Sequence, residues 1–271
     1  MVTNSLRRAL ALALLSALAA SPALAGNAPA APTIAAAAAL DQSLIAAAHP
    51  DPVASVVEQA QAAIQRAKQF TYLLRRPEKP ATCTIVLLHG SGGDEASLMA
   101  LAEKIDPGAV LLGIRGRVTQ AGVSRWYKRL TPTSFDQQDV RNEAEAFASF
   151  LSATAAEQKV DLDNAIFLGY SNGANLIGAL TLLHPGLVHR AVLLRAMPVL
   201  DEAPQAELGK ARILTIAGRS DGTYGPFAPK LETLLRSRGA RVKSYMIDSD
   251  HGIGDEDARL VREWLALADA Q

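Results

Sequence analysis

From Phe70 onward, the chain alternates between short runs of apolar residues and longer stretches whose apolar residues recur at helical spacing. The short runs predict strands at Thr71–Leu74, Thr84–Leu88, Ala109–Ile114, Ala165–Gly169, Arg190–Leu194, Arg212–Ala217 and Val242–Ile247. The longer stretches predict helices at Ala96–Ile105, Val140–Glu157, Leu176–Leu183, Pro229–Arg238 and Glu256–Leu267. Apolar strands that are separated by helices predict an α/β fold, with a mostly parallel central sheet and helices on both faces.

A Gly-x-Ser-x-Gly motif lies where a predicted strand gives way to a predicted helix, and Ser171 is its serine. Such a strand-to-helix turn, a nucleophile elbow, holds the serine in a strained conformation, and Gly169 and Gly173 avoid the collisions that a Cβ would cause. A glycine-rich turn with a solvent-facing serine also fits the motif. The strand before it and the helix after it favour a nucleophile, because the helix N terminus would stabilise negative charge beside the hydroxyl.

A serine hydroxyl needs a base to take its proton, and the base needs a group that orients it. In hydrolases with this elbow, the acid and then the histidine follow the serine, each in a loop after a strand. His251 lies in such a loop after Val242–Ile247 and is the predicted base. His184 ends the helix that begins at the elbow, where a capping role is expected, and His189 begins a strand at the opposite end of the sheet.

Asp221 is the predicted acid, because it follows the strand Arg212–Ala217 at the carboxyl end of the sheet, where ligand sites gather. Asp248 and Asp250 compete for this role. They lie so close to His251 in sequence that their carboxylates would have to fold back to reach the imidazole. Hydrogen bonds that stabilise a turn are their expected role.

Two backbone N–H groups are candidates for an oxyanion hole: that of Asn172, directly after the serine, and that of Ser91 in the glycine-rich loop His89–Gly93. Each such donor typically stabilises the transition state by about 3 kcal/mol. His89 is expected to brace its loop. The candidates for the wall of the substrate pocket, with core packing as the alternative role, are Trp126, Tyr127 and Met197.

The N-terminal region has the pattern of an export signal, in which Arg7 and Arg8 precede the apolar stretch Ala9–Ala20 and small residues precede Gly26. This apolar stretch is shorter than the roughly 20 residues that span a bilayer. We therefore expect export to the periplasm or the exterior, by the general secretory or the twin-arginine route. The predicted organisation is a signal peptide at 1–25, an Ala/Pro-rich leader at 26–52, an accessory helix at 53–69 and a catalytic domain at 70–271.

The charge balance and the cysteine content limit the partners and the covalent links that are expected. The chain has 27 Lys and Arg against 27 Asp and Glu and no basic run, so a nucleic-acid partner is not expected. Cys83 is the only cysteine, which excludes an intramolecular disulfide, and a small core or edge position is expected for it. The expected partner is a small-molecule ester, without a metal, an organic cofactor or stable insertion in a membrane. The sequence leaves the oligomeric state open.

Four motifs together resemble the phospholipase/carboxylesterase family of α/β-hydrolases: Leu88–Glu95, Gly169–Asn175, Gly218–Asp221 and Asp250–Gly252. The resemblance runs from about Phe70 to the C terminus, and Arg125-Trp126-Tyr127 is similar to a segment of the family's small-carboxylesterase branch. It implies an α/β-hydrolase fold, a triad of Ser171, Asp221 and His251, and Ser91 and Asn172 as oxyanion donors. Where the branch has Arg-Pro-Met, this chain has Arg195-Ala196-Met197-Pro198.

These inferences predict a serine hydrolase that cleaves short to medium carboxylic esters through an acyl-enzyme. The predicted site is open, because no long insertion between a strand and a helix is available to form a lid. Thioesters, lactones or lysophospholipids are alternative substrates for the same triad. A non-catalytic binding protein on a hydrolase scaffold is the alternative from a different class of function.

Overall fold

The computed structural model describes residues 70–268. The predicted signal peptide, leader and accessory helix lie outside the described residues. In chain order the elements are β1 (Thr71–Arg75), β2 (Thr84–Leu88), α1 (Met99–Ile105), β3 (Val110–Arg115), β4 (Val118–Gln120), β5 (Val123–Arg125), β6 (Arg129–Thr131), β7 (Ser134–Phe135), α2 (Gln137–Gln158), β8 (Ile166–Tyr170), α3 (Asn172–Leu183), β9 (Arg190–Leu194), β10 (Arg212–Gly218), α4 (Ala228–Ser237), β11 (Arg241–Ile247) and α5 (Asp255–Ala268). None of these helices combines the length and the apolar character of a membrane span.

A central sheet of seven strands, in the order β1-β3-β2-β8-β9-β10-β11, confirms the predicted architecture. β1 pairs antiparallel with β3, and all other neighbours are parallel. The strand order reverses between β2 and β8, because the chain passes from β2 to β3 on one side and later returns to β8 on the other. The carboxyl ends of strands at such a reversal form a crevice in which ligands bind.

The inner strands of the sheet, β2, β3, β8, β9 and β10, are buried on both faces, and this explains why they are mostly apolar. Successive side chains of a strand point to opposite faces. In β2, Val86 and Leu88 therefore pack with residues of α2, α3 and α4, whereas Ile85 and Leu87 pack with residues of α1 and α5. Each of the five helices thus covers one of two cores that share the sheet.

Helix boundaries depend on capping groups as well as on apolar spacing. α2 begins at Gln137, earlier than the predicted Val140, because the side chain of Asp136 accepts a hydrogen bond from the Asp139 N–H at 3.0 Å. The predicted stop after α4 is confirmed, since Gly239 has a φ of +91°, which favours glycine.

Two small hairpins between β3 and α2, β4–β5 and β6–β7, are not predicted by the sequence pattern. Their strands have two or three residues and are too short to show an alternation of apolar and polar residues. The N–H of Gly92 donates to the carbonyl of Ser124 at 2.8 Å, so the first hairpin lies against the loop after β2. The hairpins therefore adjoin the crevice at the strand reversal.

Candidate active site

Ser171 forms the turn between β8 and α3, with a φ of 50° and a ψ of −113°. A left-handed φ is strained for a residue that has a Cβ, and such strain is common at functional sites. α3 begins at Asn172 rather than at the predicted Leu176. The prediction missed the first turn because Gly173 and Ala174 are helical but show no apolar periodicity. The N–H groups of this first turn have no acceptor within the helix and so remain available at the serine.

The glycines of the elbow allow close approach of the backbone. A Cβ at Gly173 would lie 2.3 Å from the carbonyl oxygen of Leu88, and a Cβ at Gly169 would lie 2.6 Å from the nitrogen of Ala174. Both distances are shorter than van der Waals contact. The turn therefore requires glycine at both positions for reasons of space.

Replacing Gly173 with alanine is expected to lower the free energy of unfolding by about 3 kcal/mol, because the new methyl group overpacks the turn against Leu88. Gly178→Ala is the matched control in the same helix, since its Cβ would meet only Leu231, at 4.0 Å. That control is expected to gain about 0.5–1 kcal/mol from the helix propensity of alanine. Urea unfolding measures both changes, and equal stability of the two variants would contradict the steric explanation.

His251 connects Ser171 to Asp221. Its Nε2 lies 2.9 Å from Ser171 Oγ, and its Nδ1 lies 2.6 Å from Asp221 Oδ2. An ionised carboxylate only accepts hydrogen bonds, so Nδ1 carries the proton and Nε2 is free to accept from the serine hydroxyl. The structure thus brings these three predicted residues together in the order that is expected for a nucleophile, its base and the acid.

The carboxylate of Asp221 is buried and well supported. Its Oδ1 accepts hydrogen bonds from the N–H groups of Thr223 and Tyr224, each at 3.0 Å. Burial raises the pKa of Asp221, but the hydrogen bonds from Tyr224 and His251 outweigh burial and hold this pKa below its ordinary value. Asp221 is therefore ionised at neutral pH and can orient the imidazole.

The competing residues lie elsewhere. Asp248 is exposed and forms an ion pair with Arg219 at 2.8 Å, and Oδ1 of Asp250 accepts a hydrogen bond from the Gly252 N–H at 2.7 Å. His184 caps the far end of α3, where its ring lies 3.4 Å from a glutamate. Within residues 70–268, no group of three or more His, Cys, Asp or Glu side chains is arranged to hold a metal ion.

The two predicted oxyanion donors lie in the segments that adjoin Ser171. Asn172 is the first residue of α3, so its N–H has no acceptor within the helix. Ser91 directly follows Gly90, whose Cβ would lie 3.6 Å from the Cβ of Ser171. The loop after β2 therefore passes beside the serine, as an oxyanion hole requires.

His89 braces this loop from within the protein. Its buried ring donates a hydrogen bond from Nδ1 to the Gly90 carbonyl at 2.6 Å and accepts one at Nε2 from the Gly116 N–H at 2.9 Å. Burial lowers the pKa of His89, which favours the neutral ring that this pair of bonds needs. The indole N–H of Trp126 also donates to the His89 carbonyl, at 2.9 Å.

The three candidates for the pocket wall lie in the core. The exposed fractions of Trp126, Tyr127 and Met197 are 1%, 0% and 3%. The backbone N–H of Trp126 donates to Asn172 Oδ1 at 2.8 Å, and that of Met197 donates to Asn175 Oδ1 at the same distance. The structure thus gives these residues the alternative role, core packing, and the backbones of Trp126 and Met197 anchor the first turn of α3.

Arg195 has a role that the motifs do not reveal. Its side chain is fully buried and forms an ion pair with Asp257 at 2.8 Å. The same guanidinium donates to the carbonyls of Gly252 at 2.6 Å and Asp250 at 3.1 Å, on either side of His251. Arg195 has a positive φ of 53°. A buried arginine directly after β9 therefore holds the histidine loop against the start of α5.

Known proteins with similar sequences and structures are hydrolases. No family model matches the chain. The protein named "Putative hydrolase MhqD" from Bacillus subtilis (strain 168) is 31% identical over 185 residues, which are 66% of this chain and 90% of the relative. The crystal structure of a carboxylesterase from Mesorhizobium loti is 50% identical with a TM-score of 0.71 and covers 73% of this chain and 95% of its own. The crystal structure of the Bacillus cereus carboxylesterase is 27% identical, also with a TM-score of 0.71, and covers 76% of this chain and 99% of its own. The chain therefore belongs to the phospholipase/carboxylesterase family of α/β-hydrolases and is an esterase-type hydrolase.

Proposed function

We propose that this enzyme hydrolyses short to medium acyl esters through an acyl-enzyme formed on Ser171. The observation that carries the proposal is the continuous chain of contacts from Ser171 Oγ through the His251 ring to Asp221. The His251 side chain is 38% exposed, whereas that of Asp221 is 2% exposed. The base therefore reaches solvent, where an ester would enter, and the acid remains shielded behind it.

In the proposed reaction, His251 Nε2 takes the proton of Ser171 as Oγ attacks the carbonyl carbon of the ester. The oxyanion of the tetrahedral intermediate accepts hydrogen bonds from the N–H groups of Ser91 and Asn172. When the ester C–O bond breaks, His251 gives the proton to the departing alcohol and the acyl group stays on Ser171. Water then gives a proton to His251 as it attacks the acyl-enzyme, and His251 returns that proton to Ser171 Oγ as the acyl bond breaks and the acid departs. Asp221 stays ionised and stabilises the imidazolium.

The packing beneath the site supports the proposed acyl length. Trp126, Tyr127 and Met197 are buried in the core, and the backbone N–H groups of Trp126 and Met197 anchor the first turn of α3. Their side chains fill this part of the protein instead of lining a deep channel. Because these three side chains do not line an acyl channel, acyl chains of short to medium length are favoured.

The proposed function is tested with aryl esters from acetyl to dodecanoyl, using the wild-type protein and Ser171→Ala. We expect the wild type to prefer short to medium chains, and the variant to lose at least about a thousandfold in kcat, because its nucleophile is gone. A thioester of the preferred acyl group is included, and faster turnover of the thioester would change the proposed substrate class. Equal rates of the two proteins, or no hydrolysis by folded wild type, would contradict the proposal.

We also propose that the protein is exported after cleavage of residues 1–25. The proposal is supported by the arginine pair, the apolar stretch and the small residues before Gly26. When the full chain is expressed in a bacterium with two membranes, the periplasmic fraction should contain a protein that begins near Gly26. A cytoplasmic protein that begins at Met1 would contradict the proposal, as N-terminal sequencing can show.

A further inference from the structure

Buried polar atoms that lack a hydrogen-bond partner cluster around the proposed nucleophile. Within residues 70–268, the buried polar atoms of this kind that lie away from the nucleophile belong to Arg75. Of the other four atoms, the Tyr127 hydroxyl and the side-chain amides of Asn172 and Asn175 interact with one another, so Arg125 Nε is the one without a neighbour of this kind. Two of these residues lie in the first turn of α3, and the other two flank Trp126, whose N–H binds the Asn172 side chain. A buried polar atom without a partner costs about 1–3 kcal/mol, so Arg125 is the member of this cluster that calls for a partner.

The nitrogen atoms of this cluster are hydrogen-bond donors. The guanidinium nitrogen of Arg125 and the amide nitrogens of Asn172 and Asn175 can donate but cannot accept. A complementary occupant therefore offers acceptors, as a carboxylate does with both of its oxygens.

Arg125 adds a positive charge that no carboxylate of the described residues neutralises. The residue is 8% exposed, and its Nη1 donates to the hydroxyl of Ser91 at 2.8 Å. Arg129, on the neighbouring hairpin, likewise forms no ion pair with a carboxylate in this part of the chain. Burial lowers the pKa of Arg125, and the charge of Arg129 lowers it further. Both effects are relieved when an anion binds between or beside the two groups.

Two other arginines with little exposed side-chain surface, the buried Arg195 and the largely buried Arg117, each have an acidic partner. Arg195 is paired with Asp257 at 2.8 Å, and Arg117 is paired with Glu143 at 2.7 Å. A buried cation is costly unless it is paired. Arg125 is therefore the exception that a ligand could complete.

The position of Arg125 connects this charge to the reaction. Its bond to Ser91 places it beside a proposed oxyanion donor. Tyr224 interacts electrostatically with both Arg125 and Arg129, and its ring meets the ring of His251 edge-on, with centroids 5.2 Å apart. The two arginines therefore lie within reach of a substrate held between Ser91 and His251.

We infer that the enzyme prefers esters that carry a second, ionised carboxylate group, and that Arg125 binds this carboxylate with Arg129 beside it. A guanidinium suits the role, because its planar donors match the two oxygens of a carboxylate. The inference rests on the proposed function, since the bound group belongs to the substrate of Ser171. Arg125 forms no bond with the reacting carbonyl and acts on specificity.

The test compares esters that differ only in charge. On the acyl side, monomethyl adipate is compared with its neutral carboxamide analogue, methyl adipamate, and on the alcohol side 3-acetoxybenzoate is compared with 3-acetoxybenzamide. We expect wild-type kcat/KM to favour the carboxylate in at least one pair by about tenfold to a hundredfold, the usual effect of a charge-assisted hydrogen bond. Arg125→Gln should bring that ratio close to one, mainly through the rate for the charged ester.

Arg259→Gln is the matched control, because it removes the same charge from an exposed arginine of α5 that pairs with Glu256 and Glu263. Its ratio should equal that of the wild type. The inference is overturned if wild type hydrolyses both members of each pair equally, which needs no variant, or if Arg125→Gln and Arg259→Gln change the ratio alike. Hydrolysis of neither member of either pair, together with no hydrolysis of the aryl esters, would instead contradict the proposed function.

Discussion

His251→Gln is expected to lower kcat for the preferred ester by about a millionfold, and Asp221→Asn by about ten thousandfold. Glutamine cannot take the proton of Ser171. Asparagine at position 221 would leave the ring bonded to a neutral amide, which favours the wrong tautomer and does not stabilise the imidazolium. Single-turnover kinetics with an aryl ester measure both losses in the chemical step.

The three residues are expected to act as one unit, so the double variant Ser171→Ala/His251→Gln should lose no more than either single variant. Asp248→Asn is the control for the acid, because Asp248 is exposed and pairs with Arg219 rather than with the histidine. It should keep wild-type kcat. If Asp248→Asn lost activity and Asp221→Asn did not, the acid would have been assigned to the wrong aspartate.

Arg195→Met is expected to lower the free energy of unfolding by about 3–5 kcal/mol, because it leaves the Asp257 carboxylate buried without its partner. Methionine would also lack the hydrogen bonds that the guanidinium donates to the carbonyls of Asp250 and Gly252, which flank His251. The folded fraction should therefore show a lower kcat with little change in KM, since the base is displaced while the substrate contacts remain. Urea unfolding and steady-state kinetics at a temperature where the variant is folded measure these two effects.

A second variant separates the charge from the positioning of the loop. Arg195→Met/Asp257→Leu removes both charges, so we expect it to recover much of the stability but not the kcat. Arg259→Met, at the exposed face of α5, is the matched control. It should change the free energy of unfolding by no more than about 0.5 kcal/mol and should keep wild-type kcat. A double variant with wild-type kcat would show that Arg195 stabilises the fold without positioning His251.

The sequence predicts the sheet well because each of its strands is defined by local pattern. The apolar runs at Thr84–Leu88 and Arg190–Leu194 have the same limits in the structure as in the prediction. The helix starts are less accurate, since the start of α2 depends on the side chain of Asp136 and that of α3 on a turn whose glycines carry no periodicity. The hairpin β4–β5, which carries Arg125, and the hairpin β6–β7 escape prediction, because their strands are too short to show a pattern.

The site follows a similar division. Ser171, Asp221 and His251 could be selected because each lies in a loop after a strand, in an order that the elbow motif specifies. Arg195 could not, because its partners are backbone carbonyls and an aspartate more than fifty residues further along the chain. The available sign was its position directly after β9, where the chain keeps the arginine of the family's Arg-Pro-Met segment and departs from it at Ala196. The missing partner of Arg125 is likewise visible only in three dimensions.

Covalent labelling of the serine is the most direct test of the triad. The wild-type protein is treated with a fluorophosphonate, which reacts with activated serine nucleophiles, and the labelled site is identified by peptide mass spectrometry. The triad predicts one label per chain, on Ser171, with esterase activity falling in proportion to labelling and with no label in His251→Gln. Loss of activity with the label on another residue, or full activity with Ser171 labelled, would contradict the assignment of Ser171 as the nucleophile.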